Sequence, residues 1–146
     1  MGTVFAEITL KNVADRVRVL DGHLNEQDIR SVTVTAIVDT GAMSLVITKD
    51  LCKEIGLTIV GEKTVLIANG QRVSCKVTEP VEINWKNRSS SLQAVVIPGA
   101  EKILLGVIPL EDMDLIVNPV TQELVGAHGD KVECFALCGI TASPAA

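Results

Sequence analysis

The chain has 146 residues, of which 47% are apolar and 21% charged, and it carries a net charge of −5 at neutral pH. That is enough chain for one globular domain with a core of its own, and an acidic chain with no basic stripe excludes a nucleic-acid partner. No run approaches the roughly eighteen apolar residues of a membrane span and no basic-flanked leader opens the chain, so a cytoplasmic setting without membrane contact is expected. Aromatic residues make up only 2%, with no tyrosine, so the core must be built from Val, Ile and Leu, which favours a sheet.

In chain order, residues 3–10 alternate and predict a first strand. Val17 and Val19 point to a partner strand ahead of an Asp21-Gly22 turn, and residues 25–30 read as a solvated connection. Residues 31–38 (Ser-Val-Thr-Val-Thr-Ala-Ile-Val) predict a strand entering the core. It runs directly into Asp39-Thr40-Gly41-Ala42-Met43-Ser44. A carboxylate displayed where a rigid strand ends suits catalysis. It suits ordinary turn chemistry as well, because Asp before Thr-Gly accepts backbone N–H groups. Gly41 is expected to allow a sharp turn. Thr48 is a candidate N-cap for a short helix from Lys49 to Ile55, closed by Gly56.

Residues 64–77 carry the strongest hairpin signal, with Asn69-Gly70 as a two-residue turn at positive φ. Residues 81–85 alternate strictly. A polar turn from Lys86 to Ser90 leads into a strand over Leu92–Ile97, and Trp85 reads as packing. Residues 98–102 form a loop, and Ile103–Leu105 an apolar central strand. Pro109 opens a short helix through Met113. Asp114–Asn118 and Gln122–Val125 flank another hairpin, Val132–Cys138 predicts a last strand, and residues 143–146 a disordered end. Seven or more short strands with one or two short helices make an all-β, closed or nearly closed barrel. The single domain is expected over residues 1–130, with 131–146 as a C-terminal strand or tail.

Several groups invite a functional reading that their context does not support. Cys52, Cys75, Cys134 and Cys138 include no Cys-x-x-Cys pair, and reduced thiols are expected. Cys134 and Cys138, with His23 and His128 isolated, do not make a zinc site, and no metal or cofactor is expected. Glu111, Asp112 and Asp114 read as acidic residues favoured by the first turn of a short helix. Ser89-Ser90-Ser91 reads as a turn, without a histidine to activate it.

Val38-Asp39-Thr40-Gly41-Ala42 early in the chain and Ile103-Leu104-Leu105-Gly106 late in it resemble the motifs of the retropepsin-like aspartic proteases, in particular the small single-domain prokaryotic members. The resemblance spans about residues 31–118. It implies a barrel of retropepsin type and an aspartic endopeptidase that hydrolyses peptides or unstructured proteins. Such hydrolysis needs two carboxylates sharing one proton around a water. With one Asp-Thr-Gly per chain, the second must come from another copy, so the resemblance implies a homodimer with both Asp39 side chains on the two-fold axis. In that pattern Thr40 hydrogen-bonds across the axis and Gly41 lets the two loops approach. Leu104, Leu105 and Gly106 back the loop, and the hairpin tip at Ala68, Asn69 and Gly70 is the flap over the substrate. Ala42, which offers no hydroxyl there, implies a mildly acidic activity optimum. The first thirty residues and the last twenty-odd have no counterpart in the pattern, and the flap carries no aromatic residue. The alternative reading is a barrel that keeps the fold as a non-catalytic binding or scaffolding module.

Overall fold

Alternation in the first strand is realised directly. In the computed structural model, which describes residues 2–133, β1 (Val4–Asn12) turns Val4, Ala6, Ile8, Leu10 and Asn12 inward and the residues between them outward. The Val17/Val19 segment that follows is not a strand. Residues Val13–Leu20 form a helix, α1. Asn12 has an extended backbone, and its side chain accepts the Asp15 N–H at 3.0 Å, capping the helix where the strand ends. The buried residue of α1 is Asp15. The Arg30 guanidinium grips it through Nε (2.8 Å) and Nη2 (2.9 Å), and the Arg30 backbone N–H adds a third bond at 3.0 Å. A carboxylate–guanidinium pair thus seats the helix, while Val17 faces solvent. The expected solvated connection contains a single 3-10 turn, Glu26–Asp28.

Thr48 caps α2 (Lys49–Glu54), its Oγ1 accepting the Leu51 N–H at 3.1 Å, and Ile55 is the C-cap. Asn12 reaches this helix too, donating Nδ2 to the carbonyls of Ile55 (2.9 Å) and Gly56 (3.2 Å). One buried amide therefore closes the start of α1 and the end of α2. Gly56 is needed on two counts. Its φ is +64°, in the left-handed region, and a Cβ there would lie 1.8 Å from Arg30 Nη1.

The remaining strands are β2 (Ser31–Val38), β3 (Leu45–Ile47), β4 (Ile59–Leu66), β5 (Arg72–Trp85), β6 (Arg88–Val96), β7 (Leu104–Leu105), β8 (Leu115–Asn118) and β9 (Glu123–Gly126). Six of them join β1 in one seven-stranded sheet, in the order β1-β2-β7-β3-β6-β5-β4. Because β1 also pairs with β5, from Thr9↔Asn84 to Asn12↔Val81, the sheet closes into a barrel and leaves β4 outside the ring. β8 and β9 form a separate two-stranded sheet, joined to the barrel by α3 (Val107–Asp112). This is the all-β barrel that the strand pattern predicts, with α1 the helix that the pattern does not.

Inside lie Ile8, Leu10, Leu45, Ile47, Val81, Ile83 and Leu105, all essentially inaccessible. Each such side chain contributes about 1.5–3 kcal/mol relative to exposure, and together they form the aliphatic core that the scarcity of aromatics requires. Trp85 is buried among them, and Lys86 Nζ lies 4.6 Å from its ring centroid.

Two turns differ from expectation. At the tip of the β4–β5 hairpin only Gly70 has positive φ (+83°). The Gly70 N–H donates to the Ile67 carbonyl (2.9 Å) and the Ile67 N–H to that of Gln71 (3.0 Å). Three residues therefore form the loop, with glycine last, the arrangement that replaces a two-residue turn when Asn stays right-handed. Between β5 and β6 the turn is only Lys86-Asn87, since Trp85 already pairs with Arg88. Ser89, Ser90 and Ser91 consequently lie within β6 and not in a turn. Val132 and Glu133 are not in a strand, and the rest of the expected last strand, the expected disordered end, Cys134 and Cys138 lie outside the described residues.

Candidate active site

The last pairs of β2 with β7, Ile37↔Leu104 and Val38↔Leu105, deliver Asp39 to its place. Its N–H donates to the Leu105 carbonyl at 3.0 Å, so the second apolar motif holds the first by its backbone. The chain then turns. The Ala42 N–H donates to the Asp39 carbonyl (3.1 Å), and the Gly41 N–H donates to Asp39 Oδ1 (2.9 Å). Gly41 does not use the left-handed region; a Cβ there would meet Asp39 Oδ1 at 3.1 Å, so what its lack of a side chain protects is space beside the carboxylate.

The loop is welded from behind. The N–H groups of Gly106, Val107 and Ile108 donate to the carbonyls of Ser44 (2.9 Å), Ala42 (2.9 Å) and Met43 (2.8 Å). These amides open α3 and have no partners inside it, so the helix start and the loop satisfy each other. Gly106 is extended (φ −89°, ψ −176°), and the space it leaves is what matters. A Cβ there would lie 2.3 Å from Ser44 O and 2.6 Å from Ala42 O. Leu104, Leu105 and Gly106 are therefore brought against Asp39, Thr40, Gly41 and Ala42.

Backbone bonds fix this loop while its side chains stay open. Thr40 and Gly41 are exposed, as is Met43 at 70%. Among the described residues Asp39 takes part in no ion pair, and the Gly41 bond is the only hydrogen bond of its side chain. A carboxylate so placed keeps most of its accepting capacity for a water or a substrate.

Ala68, Asn69 and Gly70 form the tip of the β4–β5 hairpin. They are exposed at the end of a two-stranded arm that leaves the barrel beyond the Lys76↔Val96 pair. Their hydrogen bonds are internal to the hairpin: Asn69 Oδ1 accepts the Gln71 N–H at 2.9 Å, and Asn69 Nδ2 donates to Gln71 Oε1 at 3.1 Å. No hydrogen bond joins this tip to the Asp39 loop among the described residues.

An open groove of about 350 Å³ runs beside β7, lined by Val46, Ile97, Leu104 and the loop from Gly99 to Lys102. Val46 pairs with Leu104, next to the Leu105 that holds Asp39. Sequence reasoning did not single out Val46 and Ile97. The signal for Ile97 is an apolar strand end broken by Pro98-Gly99, which alone does not point to a groove.

A second polar cluster sits on the other sheet. Glu111 and Asp112 close α3 and do not begin it, so the helix dipole does not favour them there. Asp114 stands at φ +54°, with its Oδ2 2.7 Å from His128 Nδ1 and accepting the Glu133 N–H at 3.1 Å. His128 is thus not isolated, as its place in the sequence suggests. Its hydrogen bond holds the Asp114 carboxyl below the usual carboxylate range, and Asp114 in turn raises the imidazole. Buried Arg88 spends its guanidinium on backbone carbonyls: Met113 (3.0 Å), Lys131 (3.3 Å), Asp114 and Gly129. Cys52 and Cys75 are buried free thiols, which burial pushes up in pKa.

The model of the aspartyl protease family matches residues 16–108, from α1 through the Asp39 loop to the start of α3. The chain belongs to that family. Among solved structures, the aspartyl protease described here is similar to the EIAV protease complexed with the inhibitor HBY-793. That likeness has a TM-score of 0.53 at 17% identity over 76% of this chain and 88% of the other, and it shows the retropepsin fold. No curated protein is significantly similar to this aspartyl protease in sequence. Family and fold together make it a retropepsin-like hydrolase, an endopeptidase of the aspartic type.

Proposed function

We propose that the enzyme cleaves peptide bonds with a water activated by two Asp39 carboxylates, one from each protomer of a homodimer. The observation that carries this reading is the state of Asp39. It is a carboxylate with one internal hydrogen bond and, among the described residues, no basic partner, on a loop braced mainly through its backbone. One such carboxylate is half of what the reaction needs. In the dimer one Asp39 accepts a proton from the water, which attacks the scissile carbonyl carbon. The other, protonated, donates its hydrogen bond to the carbonyl oxygen, and the tetrahedral intermediate collapses as the leaving nitrogen takes up a proton. Exposed Thr40 and Gly41 face the partner loop. Ala68, Asn69 and Gly70 close over an extended peptide, and the Val46–Ile97–Leu104 groove takes an aliphatic side chain beside the scissile bond. The substrate is a peptide or unstructured protein segment.

The test is cleavage of an unstructured protein by wild type and Asp39→Asn across the acidic and neutral range, with sedimentation of both. The amide is nearly isosteric and cannot accept the proton, so a fall in rate of about 10²–10⁴ or more is expected with the dimer kept. Equal cleavage by the two proteins removes Asp39 from the mechanism. A wild type that stays monomeric and inactive at high concentration leaves a non-catalytic binding module instead.

A further inference from the structure

Phe5 stands on β1, outside the stretch of chain that matches the family model. The alternation of β1 buries Val4, Ala6 and Ile8 and leaves the Phe5 ring 60% exposed. Its cross-strand partner is Ile37, which pairs in turn with Leu104, and Leu104 with Val46. Residues opposite each other in paired strands share a face of the sheet, so these four side chains form one row. The neighbouring row, Val4, Val38, Leu105 and Leu45, turns inward.

Phe5, Ile37, Leu104 and Val46 are therefore an apolar band on the opposite face, open at Phe5 and closing at Val46, which is 7% exposed. The Val46 end is the wall of the groove that also holds Ile97. Asp39 follows Ile37 by two residues, and its bond to the Leu105 carbonyl continues the β2–β7 ladder, so the band passes one step before the carboxylate. A single exposed apolar side chain is ordinary, whereas a contiguous band running into a groove beside a reacting group marks a binding surface. Its length fits one kind of occupant. Three strand spacings, about 14 Å, separate Val46 from Phe5. In an extended peptide, residues i and i+4 share a face and lie about 13 Å apart.

We propose that Phe5 is a specificity-determining residue, whose ring receives an apolar side chain of an extended peptide substrate four residues away from the one held in the Val46–Ile97 groove. The side chain midway between them lies over Leu104 and Ile37. That occupant follows from the peptidase reading above, and the Phe5 site is tested by binding as well as by cleavage, so that the two can fail separately.

The probe is a short fluorescein-labelled peptide of Ser and Thr with Leu at positions i, i+2 and i+4, together with two versions in which one terminal Leu is replaced by Ser. Anisotropy measures their binding to the full chain carrying Asp39→Asn, which should not turn them over, and to the same protein with Phe5→Ala or Phe5→Leu added. Phe5→Ala weakens binding of the three-Leu peptide by about tenfold, the effect of losing one partly buried apolar contact. It leaves unchanged the version that lacks the terminal Leu meeting Phe5, and Phe5→Leu restores most of the loss. With Asp39 intact, the same factor falls on KM and not on kcat, and sedimentation of Phe5→Ala matches wild type. Phe5-dependent binding without any cleavage removes the peptidase reading and leaves the Phe5 site standing. The site is wrong if Phe5→Ala binds every peptide as its parent does, if it weakens all three alike, or if no peptide binds. It is also wrong if Phe5→Ala dissociates the protein, which marks the ring as an interface between copies.

Discussion

Asp15 and Asp39 both stand beside an end of a barrel strand, and they are treated in opposite ways. Asp15 is 2% exposed and saturated, with both oxygens on the Arg30 guanidinium and one also on a backbone N–H. Arg30 holds its carboxyl below the usual range. Asp39 is half-buried, meets no cation among the described residues and is bound through the main chain on either side of it. A carboxylate that builds a fold has its lone pairs filled, because an unfilled one under burial costs several kcal/mol. A carboxylate that does chemistry must keep lone pairs open, so the fold fixes its backbone and leaves its side chain unspent.

The sharpest way to break this contrast is at Gly106. A Cβ there strikes two backbone oxygens that have no room to yield, so Gly106→Ala is expected to cost on the order of 4 kcal/mol, the diagnostic end for one substitution. It should abolish cleavage as well, since the Asp39 loop moves. Denaturant titration with an activity assay reads both, and a mild effect on stability with cleavage intact would mean the loop is not braced as described. Asp15→Asn comes next, at roughly 2 kcal/mol, discounted from a fully buried pair because the Arg30 side chain is half exposed. Its signature is pH. A depressed folded pKa contributes stability that is present above the ordinary carboxylate value and lost as the pH falls through the folded one. Wild type and Asp15→Asn should therefore converge in strong acid and separate above about pH 4, with melts across that range as the check. Thr48→Ala is the smallest, about 1 kcal/mol for a lost cap, with cleavage unchanged because the Thr48 side chain bonds Leu51 of its own helix and neither motif.

Those two carboxylates also mark how far sequence can be read. The Asp39 turn, the Thr48 cap, the hairpin about Gly70 and the closed barrel were legible because each rests on contacts within a few residues or on strict alternation. The α1 helix was not. Val17 and Val19 sit two apart, as in a strand, and the helix is seated by Asp15, whose partner comes fifteen positions later. Separation along the chain hides the second cluster as well: Arg88 meets Met113 and Asp114 from 25 and 26 positions away, and Asp114 meets His128 from 14. The Asp39 loop itself reads as a turn, and the resemblance sets Leu104, Leu105 and Gly106 behind it, but the bracing by the amides of residues 106–108 belongs to the tertiary structure.

The closure of the ring by β1 has a consequence for how the molecule can be cut. The stretch shared with the aspartyl protease family begins at Arg16, after β1 has ended. Yet β1 is the seam of the barrel, paired along β2 on one side and with β5 on the other. A chain trimmed to the shared stretch keeps both motifs but loses the stave between them, and two strand edges are then bare to whatever strand arrives first, including those of its own copies. Kinship ends where the hoop is still open, so the smallest piece of this protein able to fold is larger than the piece by which it is recognised.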